Sequence, residues 1–143
     1  MGLLFSFFGR IGRGGFWLGL LASIVVMSAA LALAYLVIGA PVTALNADGT
    51  PVAIMNGPLP ADAKVIYNPV SLAVVGIGYI LGIWIGLATQ VKRWHDRGAS
   101  GWWVLINLIP GIGGIWTLVS CGFLEGQDGT NKYGPDPRGP TTA

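Results

Sequence analysis

PVSLAVVGIGYILGIWIGLATQV, residues 69–91, runs without a single Asp, Glu, Lys or Arg. An α-helix rises about 1.5 Å per residue, so roughly 20 apolar residues cross the hydrocarbon core of a bilayer, which is about 30 Å thick. Residues 16–39 and 99–124 form two further uncharged stretches of sufficient length. Backbone N–H and C=O groups in hydrocarbon must be paired within the chain, so we predict three transmembrane helices.

The composition of the 143 residues supports a membrane fold. Hydrophobic residues make up 53% of the chain and charged residues 10%, whereas soluble domains carry about 25% charged residues. The net charge of +2 is small and the cations are scattered, which is unlike a nucleic-acid-binding surface. We therefore predict an all-α membrane protein in which residues 1–143 form a single membrane domain, a small bundle of three transmembrane helices.

The N-terminal apolar stretch is too long for a signal peptide. The hydrophobic part of such a peptide has about 7 to 15 residues, whereas this stretch continues from residue 16 to residue 39. We therefore expect an uncleaved span.

Basic residues beside the spans predict their orientation. Arg10 and Arg13 precede the first span, and Lys92, Arg93 and Arg97 lie between the second and third. Short loops rich in Lys and Arg stay in the cytoplasm, so both flanks, and with them the N-terminus, are expected there. The outer loop, residues 40–68, is expected on the opposite side. Three complete crossings place the tail, residues 125–143, on that outer side as well.

The outer loop, residues 40–68, and the tail, residues 125–143, are predicted to be non-helical. Asn46-Ala47-Asp48-Gly49 is a turn signal between short apolar stretches, which allows a small hairpin, and several prolines prevent a helix in the loop. The tail is rich in Gly, Pro, Asp and Thr, so we expect an irregular segment that is ordered only if it docks on the bundle. The loop prolines are Pro41, Pro51, Pro58 and Pro60.

Glycines recur at every fourth position of the second span, at Gly78, Gly82 and Gly86. Such spacing leaves a smooth face that another helix can approach closely. Ala30 and Ala34 have the same spacing in the first span and are candidates for the facing surface. We predict close helix packing here, within the chain or between copies, and a conduction path is the alternative.

The third span contains a proline followed by glycines, at Pro110, Gly111, Gly113 and Gly114. Proline lacks an N–H and leaves a carbonyl unpaired, so we predict a kink. One alternative is a broken helix whose freed backbone groups bind an ion or substrate, as in transporters. Another is a re-entrant segment that turns back at the glycines, which would return the tail to the cytoplasm.

Polar residues concentrate at the cytoplasmic ends of the spans. We interpret them mainly as topology determinants, with Asp96 pairing an arginine and Ser100 capping the third helix. Clusters of Lys and Arg at this level also attract anionic lipids, which is the alternative. This possible anionic-lipid patch comprises Arg10, Arg13, Lys92, Arg93, His95 and Arg97.

We predict neither an enzyme nor a metal or cofactor site. A general acid–base site at His95 would need a second titratable partner directed at a substrate, and only Asp96 adjoins it in sequence. One histidine, the single Cys121 and no carboxylate within a span cannot build a common zinc or di-metal centre.

Several motifs occur in a specific order along the chain. Gly9-Arg10-Ile11-Gly12-Arg13 is followed by Phe16-Trp17, and then come two motifs whose residues are Asp96, Ser100, Gly101, Trp102, Trp103, Asn131, Tyr133, Gly134, Asp136 and Pro137. In this order the sequence resembles the bacterial inner-membrane family catalogued as domain of unknown function 805, of the YhaH/YhaI type. The resemblance implies a multi-pass protein of the bacterial inner (cytoplasmic) membrane, and no established activity.

The chain departs from this family pattern at three places. Lys92 and Trp94 stand where the pattern more often has Arg and Leu, and the outer loop is longer than in typical members. The loop is therefore interpreted as an insertion that serves a specific partner.

The function expected from the sequence is that of a small structural or accessory subunit. Its partners would be membrane lipids and other membrane protein subunits or a second copy, but not nucleic acid. The alternatives are an oligomeric channel or transporter component with its path near residues 110–114, and an anionic-lipid sensor. A contact between the tail and the arginines of residues 92–97 would contradict three complete crossings, because both would then have to lie on the same side of the membrane.

Overall fold

A computed structural model describes residues 5–40, 42–52 and 62–139, and the predictions for Pro41, Pro58 and Pro60 lie outside them. The chain divides into two compact units, residues 1–25 with 81–143 and residues 26–80. Among the described residues, two helices are long and apolar enough to cross a membrane. Helix α1 is Arg13–Leu33 and continues as a π-helical segment, Ala34–Ile38, while helix α2 is Pro69–Asp96.

Small residues bring the two long helices together. In the unit of residues 26–80, the position that a Cβ on Gly78 would take is occupied by the Ala30 methyl group. In the other unit, Gly19 faces the Thr89 side chain and Gly86 faces Ser23. Each glycine removes a side chain that would separate the helix axes, so the backbones approach closely.

The outer loop contains a small antiparallel sheet, with strands β1 (Val42–Leu45), β2 (Pro51–Val52) and β3 (Lys64–Tyr67) in the order β2-β1-β3. Ala44 pairs with Val52 and with Val65. The predicted hairpin is confirmed, and the turn is closed by Thr50. Its hydroxyl and amide donate to Asp48 Oδ1 over 2.7 and 2.9 Å, which holds the pKa of that carboxyl below its usual value.

The prediction of a single kinked helix over residues 99–124 is wrong, and three transmembrane crossings are not confirmed. The segment forms a 3-10 helix, Gly101–Leu108, a turn at residues 109–111, helix α3 (Ile112–Thr117) and a π-helical segment, Leu118–Phe123. Gly111 adopts φ +77°, a left-handed conformation that suits glycine, and reverses the chain. We call residues 101–123 the helical hairpin.

Close packing fixes the two arms of the helical hairpin against each other. A Cβ on Gly113 would overlap the carbonyl oxygen of Ile106, so only glycine fits where the arms meet. Thr117 Oγ1 donates to Asn107 Oδ1 over 3.0 Å, and Asn107 Nδ2 donates to Gln90 Oε1 over 2.6 Å. These polar side chains tie the arms to helix α2.

Candidate functional site

Three buried side chains form an arginine–aspartate cluster at the end of helix α2. Asp96 is the last residue of the helix, and Arg93 lies one turn before it. Arg10 comes from the segment that precedes helix α1, and its Nη2 lies 3.0 Å from Asp96 Oδ1. Arg93 Nη1 pairs with Asp96 Oδ2. The side chains of Arg10 and Arg93 are 1% exposed and that of Asp96 is 4% exposed.

Backbone carbonyls complete the coordination of both guanidinium groups. Arg93 Nε donates to the carbonyl of Cys121 over 2.8 Å, and its Nη2 donates to that of Leu124 over 2.5 Å. Arg10 donates to the carbonyls of Gln127 and Gly129, each over 2.5 Å. A buried charge is costly unless it is paired and hydrogen-bonded, and here two cations share one carboxylate and several carbonyl dipoles. The cluster therefore has a structural role: it holds the segment before helix α1 and the residues after helix α3 against the end of helix α2.

The tail, residues 125–139, is docked on this cluster. The Gln127 amide donates to the Asp96 carbonyl over 2.8 Å, and Asn131 Nδ2 donates to the His95 carbonyl over 2.9 Å. A Cβ on Gly126 would overlap the Asp96 carboxylate, so this position accepts only glycine. The Tyr133 ring stacks on His95 with centroids 3.8 Å apart. The expectation that the tail becomes ordered by docking is confirmed for these residues.

Because the tail contacts Arg10 and Arg93, the tail and these arginines must lie on one side of a membrane, which is incompatible with three complete crossings. The first residue of the helical hairpin, Gly101, lies beside Val91 and His95. The residue that follows the helical hairpin, Leu124, accepts a hydrogen bond from Arg93 through its carbonyl. Both of its ends therefore lie at the same end of helix α2, as in the re-entrant alternative. The predicted kink at Pro110 is the turn of this hairpin.

Two further ion pairs, both made by Arg138, connect residues within the tail. Arg138 Nη2 donates to Asp128 Oδ1 over 2.5 Å and to Asp136 Oδ2 over 2.8 Å. Asp136 also accepts the Gly129 amide over 3.0 Å. The Arg138 guanidinium and this backbone amide hold the pKa of the Asp136 carboxyl far below its ordinary range.

The residues predicted as an anionic-lipid patch do not lie together on a surface. Arg10 and Arg93 are enclosed in the cluster, and Lys92 is buried at 2% exposure. Arg13 is exposed and faces Glu125 at 3.5 Å. Arg97 stacks on the Trp94 ring. Lipid binding stays a prediction, and among these arginines only Arg13 and Arg97 retain access to solvent.

The predicted packing residues occupy the inner face of helix α2 or of helix α1. Gly78 lies against Ala30, and Gly82 and Ala34 are buried. Gly86 is partly buried beside Ser23. Gly78 and Gly86 therefore pack within the chain, which makes the glycine face an intramolecular surface at these points.

The family-motif residues have four local roles. Ser100 caps the 3-10 helix by accepting the Trp102 amide over 3.4 Å, and Asp96 belongs to the cluster. Trp103 stacks on Trp94, with centroids 5.7 Å apart. Asn131 and Gly134 exchange backbone hydrogen bonds in a tight turn, with Pro137 following in the exposed part of the tail.

No structural role was predicted for Gly9, Gly126 or Gln127, although Gly9 begins the first motif. Gly9 accepts a hydrogen bond from His95 Nδ1 over 3.3 Å, since a carbonyl only accepts. The available signal for Gly126 was a glycine two residues after the end of an apolar segment, whereas Gln127 contributes mainly backbone groups and gave no signal. Within the described residues, no group of three His, Cys, Asp or Glu side chains could hold a metal ion.

The family model described as "Protein of unknown function (DUF805)" matches residues 4–135. The inner membrane protein YhaH of Escherichia coli strain K12 is 41% identical over 66 residues, which cover 46% of this chain and 50% of the relative. The inner membrane protein YhaI of the same strain is 42% identical over 53 residues, covering 36% and 43%.

These matches have a limited extent. The chain spans about half the length of the curated relatives it matches, and no solved structure matches it. The names of the relatives, together with the two long apolar helices, support a location in the inner membrane. Because the family model covers residues 4–135, the chain belongs to the DUF805 family of proteins of unknown function.

Proposed function

We propose that this protein is a small multi-pass subunit without catalytic activity, which associates in the inner membrane with another membrane protein or with a second copy. In this proposal helices α1 and α2 cross the bilayer, and the helical hairpin enters it and returns. The N-terminus and the tail then share the cytoplasmic side, because the arginine–aspartate cluster holds them together.

The length of the helical hairpin supports a re-entrant position. The eight residues of its 3-10 arm extend about 16 Å at roughly 2.0 Å per residue. The returning arm of residues 112–123 extends about 18 Å at roughly 1.5 Å per residue. Both arms reach little more than halfway through a hydrocarbon core of about 30 Å.

The exposed tip of the helical hairpin is the observation that carries the proposal. Ile109, Pro110 and Gly111 lie outside the helices, and the neighbouring Leu108 and Ile112 are 77% and 66% exposed. Non-helical backbone at membrane depth is tolerated where protein buries it or where it lines a water-filled cavity. A protein partner that covers this tip would satisfy that requirement.

The same tip also supports the second candidate, an oligomeric channel or transporter component. Water in a path enclosed by several copies would hydrate the backbone of residues 109–111. The two candidates differ in whether the tip contacts another polypeptide closely or faces water.

Photocrosslinking from the tip tests the main proposal. A photoreactive residue replaces Ile112 in the full chain expressed in the membrane, and the matched control replaces Val25, which is 55% exposed on helix α1. We expect a discrete protein adduct from position 112 and none from position 25. Mixing two differently tagged copies then separates self-association from a different partner. Lipid adducts alone at both positions would contradict the proposal.

Cysteine accessibility tests the topology separately. In a Cys121→Ser background, Lys132→Cys lies in the tail and Lys64→Cys lies in strand β3, and both positions are exposed. An impermeant thiol reagent is expected to label the two positions from opposite sides of the membrane. Labelling of both from the same side would refute a re-entrant hairpin that follows two full crossings.

A further inference from the structure

A groove of about 450 Å³ lies beside the start of the 3-10 helix, in the unit that also contains the tail. Its apolar walls are Phe7, Val91, Trp102 and Val104. Trp102 is 77% exposed, and tryptophan prefers the level of lipid headgroups, where its ring is apolar and its N–H is hydrated. These walls suit a hydrocarbon chain at the membrane interface.

Polar groups stand at one edge of the groove. Ser100 accepts the Trp102 amide, and no described residue accepts the hydrogen of its hydroxyl. His95 Nδ1 donates to the Gly9 carbonyl, so the Nε2 atom of the neutral ring is a hydrogen-bond acceptor. A Cβ on Gly101 would lie 3.2 Å from this Nε2 atom, so the absence of a side chain there keeps Nε2 open to the groove.

The charge beside the groove is positive. Lys132 Nζ lies 5.0 Å from the centre of the Tyr133 ring, which itself lines the groove and stacks on His95. The described residues that line the groove include no carboxylate. The neighbouring Asp96 is enclosed in the arginine–aspartate cluster. An anionic group therefore complements this edge.

We propose that the groove binds an anionic phospholipid whose headgroup carries a hydroxyl group, as phosphatidylglycerol does. An acyl chain lies against Phe7, Val91 and Trp102. The phosphate accepts hydrogen bonds from Ser100 and Lys132, and the headgroup hydroxyl donates to His95 Nε2. This site is separate from the hairpin tip and uses none of Arg10, Lys92 and Arg93, the buried members of the patch that the sequence indicated.

Native mass spectrometry of the full chain in mild detergent tests the charge requirement. Phosphatidylglycerol and phosphatidylcholine with identical acyl chains are added at equal concentrations. We expect the wild-type protein to retain phosphatidylglycerol preferentially, and Lys132→Glu to lower that retention about tenfold. Lys64→Glu makes the same charge change in strand β3 and is expected to have no effect. Equal retention of the two lipids, or equal effects of the two variants, would overturn the proposal.

A second pair of variants tests the apolar wall. Trp102→Ala removes a groove residue, and Trp116→Ala removes a tryptophan that is 50% exposed on helix α3, outside the groove. Both side chains are exposed, so the buried core remains. We expect only Trp102→Ala to weaken phosphatidylglycerol retention. Equal losses in both variants would identify the retained lipid as general surface lipid and refute the site.

Discussion

Replacement of Asp96 by Asn is expected to release the tail. The amide keeps the size of the carboxylate, but it removes the charge shared by Arg10 and Arg93 and turns an NH₂ group toward one guanidinium. Removing one partner of a buried ion pair costs about 3 to 5 kcal/mol. Since about 1.4 kcal/mol corresponds to a tenfold change in an equilibrium, the undocked fraction should rise roughly 100- to 3,000-fold.

Trypsin cleavage after Lys132 measures this undocking. When opening and closing are fast, the cleavage rate follows the population of the open form. We therefore expect much faster cleavage in Asp96→Asn than in the wild-type protein in the same detergent, up to the rate for a fully undocked tail. Cleavage at the wild-type rate would refute the assignment of the cluster as the anchor of the tail.

Glu125→Gln supplies the matched control. It also removes a carboxylate beside an arginine, but Glu125 and Arg13 are 73% and 52% exposed and 3.5 Å apart. Exposed ion pairs contribute about 0 to 1 kcal/mol, so cleavage should change by no more than roughly fivefold.

Two further predictions concern the helical hairpin and the tail. Gly113→Ala places a methyl group on the Ile106 carbonyl and should destabilise the protein by about 1 to 3 kcal/mol in thermal unfolding, whereas Gly114→Ala, with open space around it, should not. The depressed pKa of Asp136 means that its bond to Arg138 stabilises the tail above the ordinary carboxyl pKa of 3.8 and is lost as pH falls below it. Amide hydrogen exchange in the tail, corrected for intrinsic rates, should therefore accelerate below about pH 4 in the wild-type protein and much less in Arg138→Gln.

Local sequence signals predicted the elements that depend on local chemistry. The two long helices follow from uninterrupted apolar length, and the turn at Asn46 to Thr50 follows from its Asp and Gly residues. Ser100 caps a helix as expected, although that helix is of the 3-10 type. These features depend on residues that are close together in the chain.

The third apolar stretch was misjudged because hydropathy measures length and polarity but not direction. A complete crossing and a hairpin that enters and returns have the same apolar composition. The proline and glycines at 110–114 indicated a break, but the reversal depends on the left-handed backbone of Gly111 and on the contact between Gly113 and Ile106. Such a contact between arms becomes visible only in three dimensions.

The candidate site was predicted in part. Pairing of Asp96 with an arginine is confirmed. The sequence interpreted Arg10 and Arg93 as topology determinants, with a lipid-binding surface patch as the alternative, because they flank apolar spans. Their burial depends on partners far away in the chain, including the Gly129 carbonyl, which is 119 residues from Arg10. Every residue has a backbone carbonyl, so the sequence does not indicate which carbonyls accept hydrogen bonds from the arginines.

The arginine–aspartate cluster also constrains the order in which the protein can mature. Arg10 and Arg93 are translated before their carbonyl partners, which follow Arg93 by 28 and 31 residues and Arg10 by as many as 124. Synthesis proceeds from the N-terminus, so both guanidinium groups remain open to water and lipid phosphates while the long helices insert. In the proposed topology, exposed arginines at this stage favour retention of their flanks on the cytoplasmic side. Only when residues 121–134 have left the ribosome can both guanidinium groups be enclosed by their carbonyl partners.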